Sequence, residues 1–379
     1  MRIAVIGSKG LPAKQGGVER HCEEIYGRMV AQGHEVDLYG RASYTQVRGY
    51  HRGIRVVPLP VPGLKGGDAF LSAALGTVVA QATHYDIIHI HALGPALFSG
   101  LPRLSRAGVV VTCHGLDWQR AKWGKISSTL LHWGERCAVQ FAQQLIVVSE
   151  DLGAYFTQTY GRETVYIPNA PAGLSPSDPE FTYVQSLGLT PGRYILFMGR
   201  LVPEKRPDLL LQAFQRLSPP GWKLAFVGGV SDTGSYTAQL LDWAVGDPNV
   251  VFVGELQGER LAESLRGAGL FVLPSDVEGL PLALLEAMSE LVPVVVSDIP
   301  VHRQLTQGGR GTCFKTGDLG GCADALAWVL AHPQVAQGMA RTAQQHVQTH
   351  FNWDLITQQT LQVYSQLVES RTARIGVTS

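Results

Sequence analysis

The sequence predicts an α/β protein built from two doubly wound, Rossmann-like domains, and three observations carry that expectation. Short runs of Val, Ile and Leu alternate with helical patterns from the first residue, as βαβ units around a parallel sheet require. The rhythm breaks at PNAPAGLSPSDPE, residues 168–180, and a second series like the first then begins. At 379 residues the chain is also longer than one hydrophobic core usually grows.

In the first series, strands are expected at 2–6 (RIAVI), 35–39, 54–58, 86–90 (DIIHI), 108–113 (GVVVTC), 144–148 (QLIVV) and 163–167, with helices at 18–32, 69–82 and 126–143. The Pro, Ser and Gly of 168–180 mark the linker. The second series places strands at 193–198 (RYILFM), 222–227 (WKLAFV), 250–253, 269–273 (GLFVL) and 293–296, and helices near 206–217, 234–245, 258–267, 281–291 and 320–331. From about 333 to 370 the sequence is polar, helix-favouring and without strand patterns. The expected domains are 1–175 on the acceptor side and 185–350 on the donor side, with 351–379 a helical tail returning to the first. Ligands of such sheets bind at the carboxyl ends of the strands, which directs attention to the residues after each strand and to a cleft between facing domains.

Composition narrows the function. Net charge is zero, and 17 Lys and Arg against 14 Asp and Glu in residues 1–185 is too small a skew for nucleic acid binding, though it permits a local site for a phosphorylated or membrane-surface acceptor. Five cysteines, Cys22, Cys113, Cys137, Cys313 and Cys322, are scattered with no C-x-x-C spacing, so neither a disulfide framework nor a zinc site is expected, and a reducing cytoplasm fits. The start MRIAVIG reads directly into a strand rather than a signal peptide, and no apolar run has the length of a spanning helix, so membrane contact is expected to be peripheral.

After the first strand comes GSKGLPAKQGGVERHCEEI, a glycine-rich loop opening a helix. Gly16 and Gly17 would let backbone N–H groups approach a phosphate beside a positive helix end, with Lys9 and Lys14 as further contacts or simply exposed loop charges. The spacing is not G-x-G-x-x-G, which argues against a dinucleotide-binding dehydrogenase.

The second half opens with FMGRLVPEKRPDLLLQAF. Arg200 and Lys205, in a strand-to-helix loop, can neutralise a diphosphate leaving group without a metal ion, and no D-x-D pair is present to hold one. Further on, LPSDVEGLPLALLEAMSELVPVVVSD spans a strand, a tight loop, a helix and the next strand. Glu286 sits among Leu282, Ala283 and Leu285, so its carboxylate needs a partner, and a ribose diol is a sensible one. Glu278 stands before the helix, where it could bond sugar hydroxyls while the N–H groups of Gly279 and Leu280 meet phosphate oxygens. A capping carboxylate followed by a surface charge is the bland alternative for the pair.

The E-x7-E pattern of EGLPLALLEAM, preceded by GRLVPEK and by the glycine-rich loop, resembles family 4 of the GT-B glycosyltransferases over nearly the whole chain. KGLPAKQGGVE and HGLDWQRAKWGK further resemble a bacterial rhamnosyltransferase-like subgroup of surface-polysaccharide assembly. The resemblance implies a GT-B fold, two facing domains, and a metal-independent enzyme that transfers a hexosyl group from a UDP-, dTDP- or GDP-linked sugar with retention of configuration. The acceptor would be a saccharide or lipid-linked saccharide.

Carried onto this sequence, the resemblance makes Arg200 and Lys205 the diphosphate clamp, Glu286 the ribose ligand and Glu278 a carboxylate on the donor sugar. Gly16 and Gly17 would lie against the diphosphate, and the loop around Leu256 would hold the nucleobase, with Gly228 and Gly229 letting it approach the backbone. His114 matches a position that contacts the donor sugar; on its own, a histidine after a strand reads as structural. In HGLDWQRAKWGK, the charged Asp117, Arg120, Lys122 and Lys125 interleave with Trp118 and Trp123, as an acceptor site for sugar rings and phosphate would need. The other reading has the tryptophans anchoring the loop and the cations facing water. Two rival functions stand beside glycosyl transfer: a nucleotide-sugar epimerase on the same scaffold, and a sugar-nucleotide-binding regulator. No cofactor and no metal ligand are expected.

Overall fold

The computed structural model describes residues 1–13, 16–45, 47, 49–62, 67–119, 125–229 and 234–376. The chain forms two compact units, one of Met1–Asn169 joined by the residues from Asn352 onward, the other of Ala170–Phe351. The polar tail is two helices, Pro333–His350 and Trp353–Gly376, which fall in different units: the first packs on the helix Leu282–Ser289, the second on the helix Gly17–Ala31.

The first unit holds an eight-stranded sheet. Its strands are β1 (Arg2–Ile6), β2 (Glu35–Arg41), β3 (Gly49–His51), β4 (Ile54–Leu59), β5 (Ile87–His91), β6 (Gly108–Cys113), β7 (Gln144–Val147) and β8 (Val165–Tyr166). The order is β3-β4-β2-β1-β5-β6-β7-β8, all parallel except β3, which pairs antiparallel with β4 at the edge. Sequence reading misses β3 because GYH has no apolar alternation to mark it; it is a three-residue edge closed by the turn at Arg52 and Gly53. Strands β5 and β6 are buried along their whole length, as central parallel strands covered on both faces must be.

The second unit contains β9 (Tyr194–Met198), β10 (Lys223–Val227), β11 (Val250–Gly254), β12 (Leu270–Leu273), β13 (Val294–Ser297) and β14 (Thr312–Phe314) in the order β11-β10-β9-β12-β13-β14, all parallel. The short β14, after the turn at Gly308 and Gly309, also escapes sequence reading. In each sheet the strand order reverses beside the first strand, β1 against β5 and β9 against β12, and the crevice at that reversal is where such sheets bind ligands. No helix among the described residues is long and apolar enough to cross a membrane.

Candidate active site

In the second unit, three loops leave the carboxyl ends of β9, β10 and β12. Gly199, Arg200 and the single 3-10 turn Pro203–Lys205 follow β9; Gly228 and Gly229 follow β10; Ser275 to Leu280 follow β12. Two of these loops are tied together. The Asp276 N–H donates to the Glu204 carbonyl at 2.8 Å, and Arg206, in the left-handed region at φ 51°, donates to Asp208 at 3.3 Å and to Asp276 at 3.4 Å.

That tie brings Lys205 to Glu278. The Lys205 Nζ is 2.5 Å from Glu278 Oε1, which also accepts from Ser275 Oγ at 2.8 Å. Burial alone would raise the Glu278 carboxyl, but the charge and hydrogen bond of Lys205, aided by His302 and Ser275, outweigh it and hold the group below its usual range. Glu278 is therefore an anion at neutral pH, and Lys205 a cation fixed beside it. Arg200 is half-buried two residues past β9.

Glu286 lies in the second turn of the eight-residue helix Leu282–Ser289 and is half-buried, while Leu284, Leu285, Ala287 and Met288 around it are fully buried. Its carboxylate thus belongs to the open side of an apolar helix. Gly279 and Leu280 are half-buried and precede Pro281, the N-cap, so they lie just outside the helix rather than in its first turn. Leu256 is half-buried in the loop after β11. At Gly228 the backbone itself explains the glycine, since a Cβ would stand 1.8 Å from the Gly199 carbonyl oxygen.

His302 escapes the sequence reading. It is fully buried in the helix Pro300–Thr306 that follows β13, with Nδ1 3.1 Å from Ser297 Oγ and 3.0 Å from the Ser297 carbonyl. Burial lowers its pKa to about 4 against the pull of Glu278, so it is neutral. The only signal is its place two residues after the proline that starts a helix.

In the first unit the glycine-rich loop closes on Glu19. This buried carboxylate accepts from the Lys9 N–H at 3.1 Å, and a Cβ on Gly16, at φ 102°, would meet its other oxygen at 2.2 Å. The helix begins at Gly17, which is exposed. Lys9 points its ammonium over the Tyr44 ring at 5.9 Å, and Lys14 lies outside the described residues.

His114 follows β6 directly and is half-buried. Its Nε2 is 3.0 Å from His91 Nδ1, and the two rings stack with centroids 5.3 Å apart. His21 meets both rings edge-on, anchored by Asn169 at 2.6 Å from its Nδ1, and burial takes its pKa to about 4. His21, His91 and His114 each offer a ring nitrogen within 4.8 Å of the others, the one trio of possible metal ligands found among the described residues, although the His91–His114 hydrogen bond uses two of them. Their positions, scattered over 93 residues of sequence, give no spacing that could have announced the cluster.

Asp117 opens a single 3-10 turn and is half-buried. Trp118 stacks on His132 at 4.5 Å and donates its indole N–H to Glu135 at 2.9 Å. Glu135 is wholly buried and also accepts from Tyr155 at 2.7 Å and Tyr160 at 2.5 Å. Three donors thus satisfy the oxygens of a buried carboxyl group, as its burial demands. Trp118 has the geometry of the anchoring alternative, while Arg120, Lys122 and Trp123 lie outside the described residues.

Comparison with known proteins decides the family. The family described as Glycosyltransferase Family 4 matches residues 15–170, and Glycosyl transferases group 1 matches 182–346. The chain belongs to the family 4 glycosyltransferases, with the GT-B fold. A D-inositol 3-phosphate glycosyltransferase of Gordonia bronchialis is 29% identical to this chain, over 98% of this chain and 90% of its own. Two solved structures are similar to this chain in fold: sucrose-phosphate synthase from Thermosynechococcus elongatus (23% identity, TM-score 0.81, 97% and 99% coverage) and Anabaena HepE in complex with UDP-glucose (21%, 0.81, 97% and 100%). This family 4 chain is accordingly a glycosyltransferase.

Proposed function

We propose that this glycosyltransferase moves a hexosyl group from a UDP-, dTDP- or GDP-linked sugar to a saccharide or lipid-linked saccharide, with retention and without a metal ion, in polysaccharide or glycolipid synthesis. The observation that carries the reading is the Lys205–Glu278 pair at the carboxyl ends of β9 and β12, with Arg200 in the same loop as Lys205. A fixed cation next to a fixed anion suits a donor whose two ends differ: a diphosphate for Lys205 and Arg200, sugar hydroxyls for Glu278. The solved complex of HepE with UDP-glucose makes a uridine donor the first to test.

In this mechanism Arg200 and Lys205 stabilise charge developing on the leaving diphosphate, and the diphosphate itself takes the acceptor proton as the acceptor attacks the same face of an oxocarbenium-like centre. Glu286 takes the ribose, Leu256 and the glycines at 228 and 229 the base, and Gly16, Gly17, Gly279 and Leu280 the phosphates. His114 contacts the donor sugar, and Asp117, Trp118, Arg120 and Lys122 serve the acceptor. The enzyme contributes orientation and exclusion of water rather than a covalent nucleophile. We place the reaction in the cytoplasm, where five cysteines with no disulfide suit the reducing conditions, with peripheral membrane contact when the acceptor is lipid-linked.

The test is thermal stabilisation by UDP, GDP, dTDP, ADP and NAD, with and without EDTA. One nucleoside diphosphate should stabilise the wild type, by about 2.7 kcal/mol at a hundred times its Kd, and EDTA should change nothing. Arg200→Ala and Glu286→Ala should lose the effect. Stabilisation by NAD alone, or only with a divalent cation, would overturn the reading.

A further inference from the structure

Strands β12 and β13 are neighbours in the second sheet, and the loop that carries Glu278 leaves the first of them. Beside that loop three polar residues are wholly buried: Ser275, Ser297 at the end of β13, and His302. Buried polar groups need partners, and these find one another. His302 Nδ1 lies 3.0 Å from the Ser297 carbonyl oxygen and 3.1 Å from Ser297 Oγ. Ser297 Oγ in turn lies 2.5 Å from the Ser275 carbonyl oxygen, and Ser275 Oγ lies 2.8 Å from Glu278 Oε1. The side chains of Ser275, Ser297 and His302 make no other hydrogen bond among the described residues.

Two carbonyl oxygens, which can only accept, order the protons along this path. The Ser297 hydroxyl donates to the Ser275 carbonyl, since without that proton two oxygens would face each other at 2.5 Å. The Ser297 Oγ is then an acceptor, and the Ser297 carbonyl beside it is another, so His302 Nδ1 carries a hydrogen. Burial keeps the ring neutral, and its Nε2 lone pair meets no donor among the described residues. The Ser275–Asp276 peptide is held from both sides, its carbonyl by Ser297 and its N–H by the Glu204 carbonyl at 2.8 Å. That fixes the backbone from which Ser275 Oγ reaches Glu278. Among the described residues both bonds to the Glu278 carboxylate, from Ser275 and from Lys205, fall on Oε1, which leaves Oε2 for a ligand.

We infer that His302 is a positioning residue that acts on Glu278 through Ser297 and Ser275, holding Oε1 on Lys205 and keeping Oε2 for the donor sugar. The consequence for the sugar rests on the proposed role of Glu278; the path of hydrogen bonds does not. The His302 Nδ1–H holds the Ser297 hydroxyl in one orientation, that hydroxyl holds the Ser275 carbonyl, and Ser275 presents its own hydroxyl to Oε1. A carboxylate fixed in this way meets the sugar without first having to be ordered, and a preorganised contact gains affinity by that saving. His302 is wholly buried, so it acts through Glu278 and not on the donor itself.

The experiment begins without a ligand. Long-range 15N–1H correlation spectra of the full-length protein, with the His302 signals assigned by their absence in His302→Asn, should show His302 protonated at Nδ1. The 13C shift of the Glu278 carboxylate, assigned through Glu278→Gln, should move in Ser275→Ala and His302→Leu. It should keep its wild-type value in His302→Asn, whose amide N–H can stand where Nδ1–H does while Nε2 is discarded. Titration calorimetry then uses UDP and UDP-glucose, or the corresponding dTDP or GDP pair where that nucleotide is the one that stabilises the wild type. Ser275→Ala and His302→Leu should weaken the sugar nucleotide about tenfold, the scale of one hydrogen bond to a charged group, and the free nucleotide less than about twofold. In a Glu278→Gln background the same substitutions should weaken the sugar nucleotide no further. An Nε2–H tautomer in the wild type, free and sugar nucleotide weakened alike, His302→Asn no better than His302→Leu, or undiminished losses in the Glu278→Gln background would each overturn the inference. Should Glu278→Gln bind the sugar nucleotide as the wild type does while the carboxylate shift still depends on His302, the sugar contact of Glu278 fails and the path of hydrogen bonds stands.

Discussion

Lys205 Nζ and Glu278 Oε1 lie 2.5 Å apart, so the cation of the GR-x4-K loop and the first carboxylate of the E-x7-E pair are one ion pair. Two motifs separated by more than seventy residues therefore form a single unit. Only 16% and 12% of the two side chains is exposed, so removing one partner strands the other in a poor solvent. Lys205→Met should cost about 3 kcal/mol in urea unfolding, and the double variant Lys205→Met, Glu278→Gln should cost less than the sum of the single changes. Strict additivity would show that the pair is not coupled.

Gly228→Ala tests the loop crossing. A Cβ there would lie 1.8 Å from the Gly199 carbonyl oxygen, so the loops after β9 and β10 must separate to admit it. A stability loss of about 1–3 kcal/mol is expected, with nucleotide affinity falling at least tenfold, measured by isothermal titration. Unchanged affinity would detach this crossing from donor binding.

Acid should weaken the fold through buried histidines. His21 and His302 are neutral in the folded protein, with pKa near 4 because burial penalises the charged ring, whereas the unfolded chain takes up the proton near 6.5. Their contribution is complete above pH 6.5 and is lost as the pH falls from 6.5 toward 4, by about 3 kcal/mol for each as an upper figure. Urea midpoints measured between pH 7.5 and 4.5 should fall accordingly. His302→Gln should flatten that slope, and an identical slope would assign the acid sensitivity elsewhere.

Glu135 makes the tryptophan segment testable. Glu135→Ala leaves Trp118, Tyr155 and Tyr160 without their acceptor and should cost about 3 kcal/mol, whereas Glu135→Gln, which keeps an acceptor oxygen, should cost markedly less. Calorimetry checks both. Arg120→Ala with Lys122→Ala should leave donor hydrolysis intact while slowing transfer; equal loss of both activities would remove the acceptor role from this segment.

Much of the fold was legible because parallel strands buried on both faces must be apolar throughout. DIIHI and GVVVTC announced β5 and β6 for that reason, and RYILFM announced β9. The short edges β3 and β14 left no such trace, since three residues at a margin need no apolar run. Arg200, Lys205, Glu278 and Glu286 were legible as candidates because the loops of the first three and the helix of the last are local. That Lys205 and Glu278 touch was not, because contact depends on the Asp276–Glu204 and Arg206 bonds between loops.

The sequence by itself determined the two α/β series, the break between them and the positions of the phosphate and sugar candidates, all of which follow from local periodicity and local loop chemistry. Tertiary structure alone decided what surrounds His114 and Trp118. Tyr26, His89, His91, Thr112 and Tyr364 are brought together by β5, β6 and two helices from opposite ends of the chain, and Glu135 gathers its three donors the same way. The physical reason is that a buried polar group must find partners wherever the packing supplies them, and no spacing along the chain records where that is.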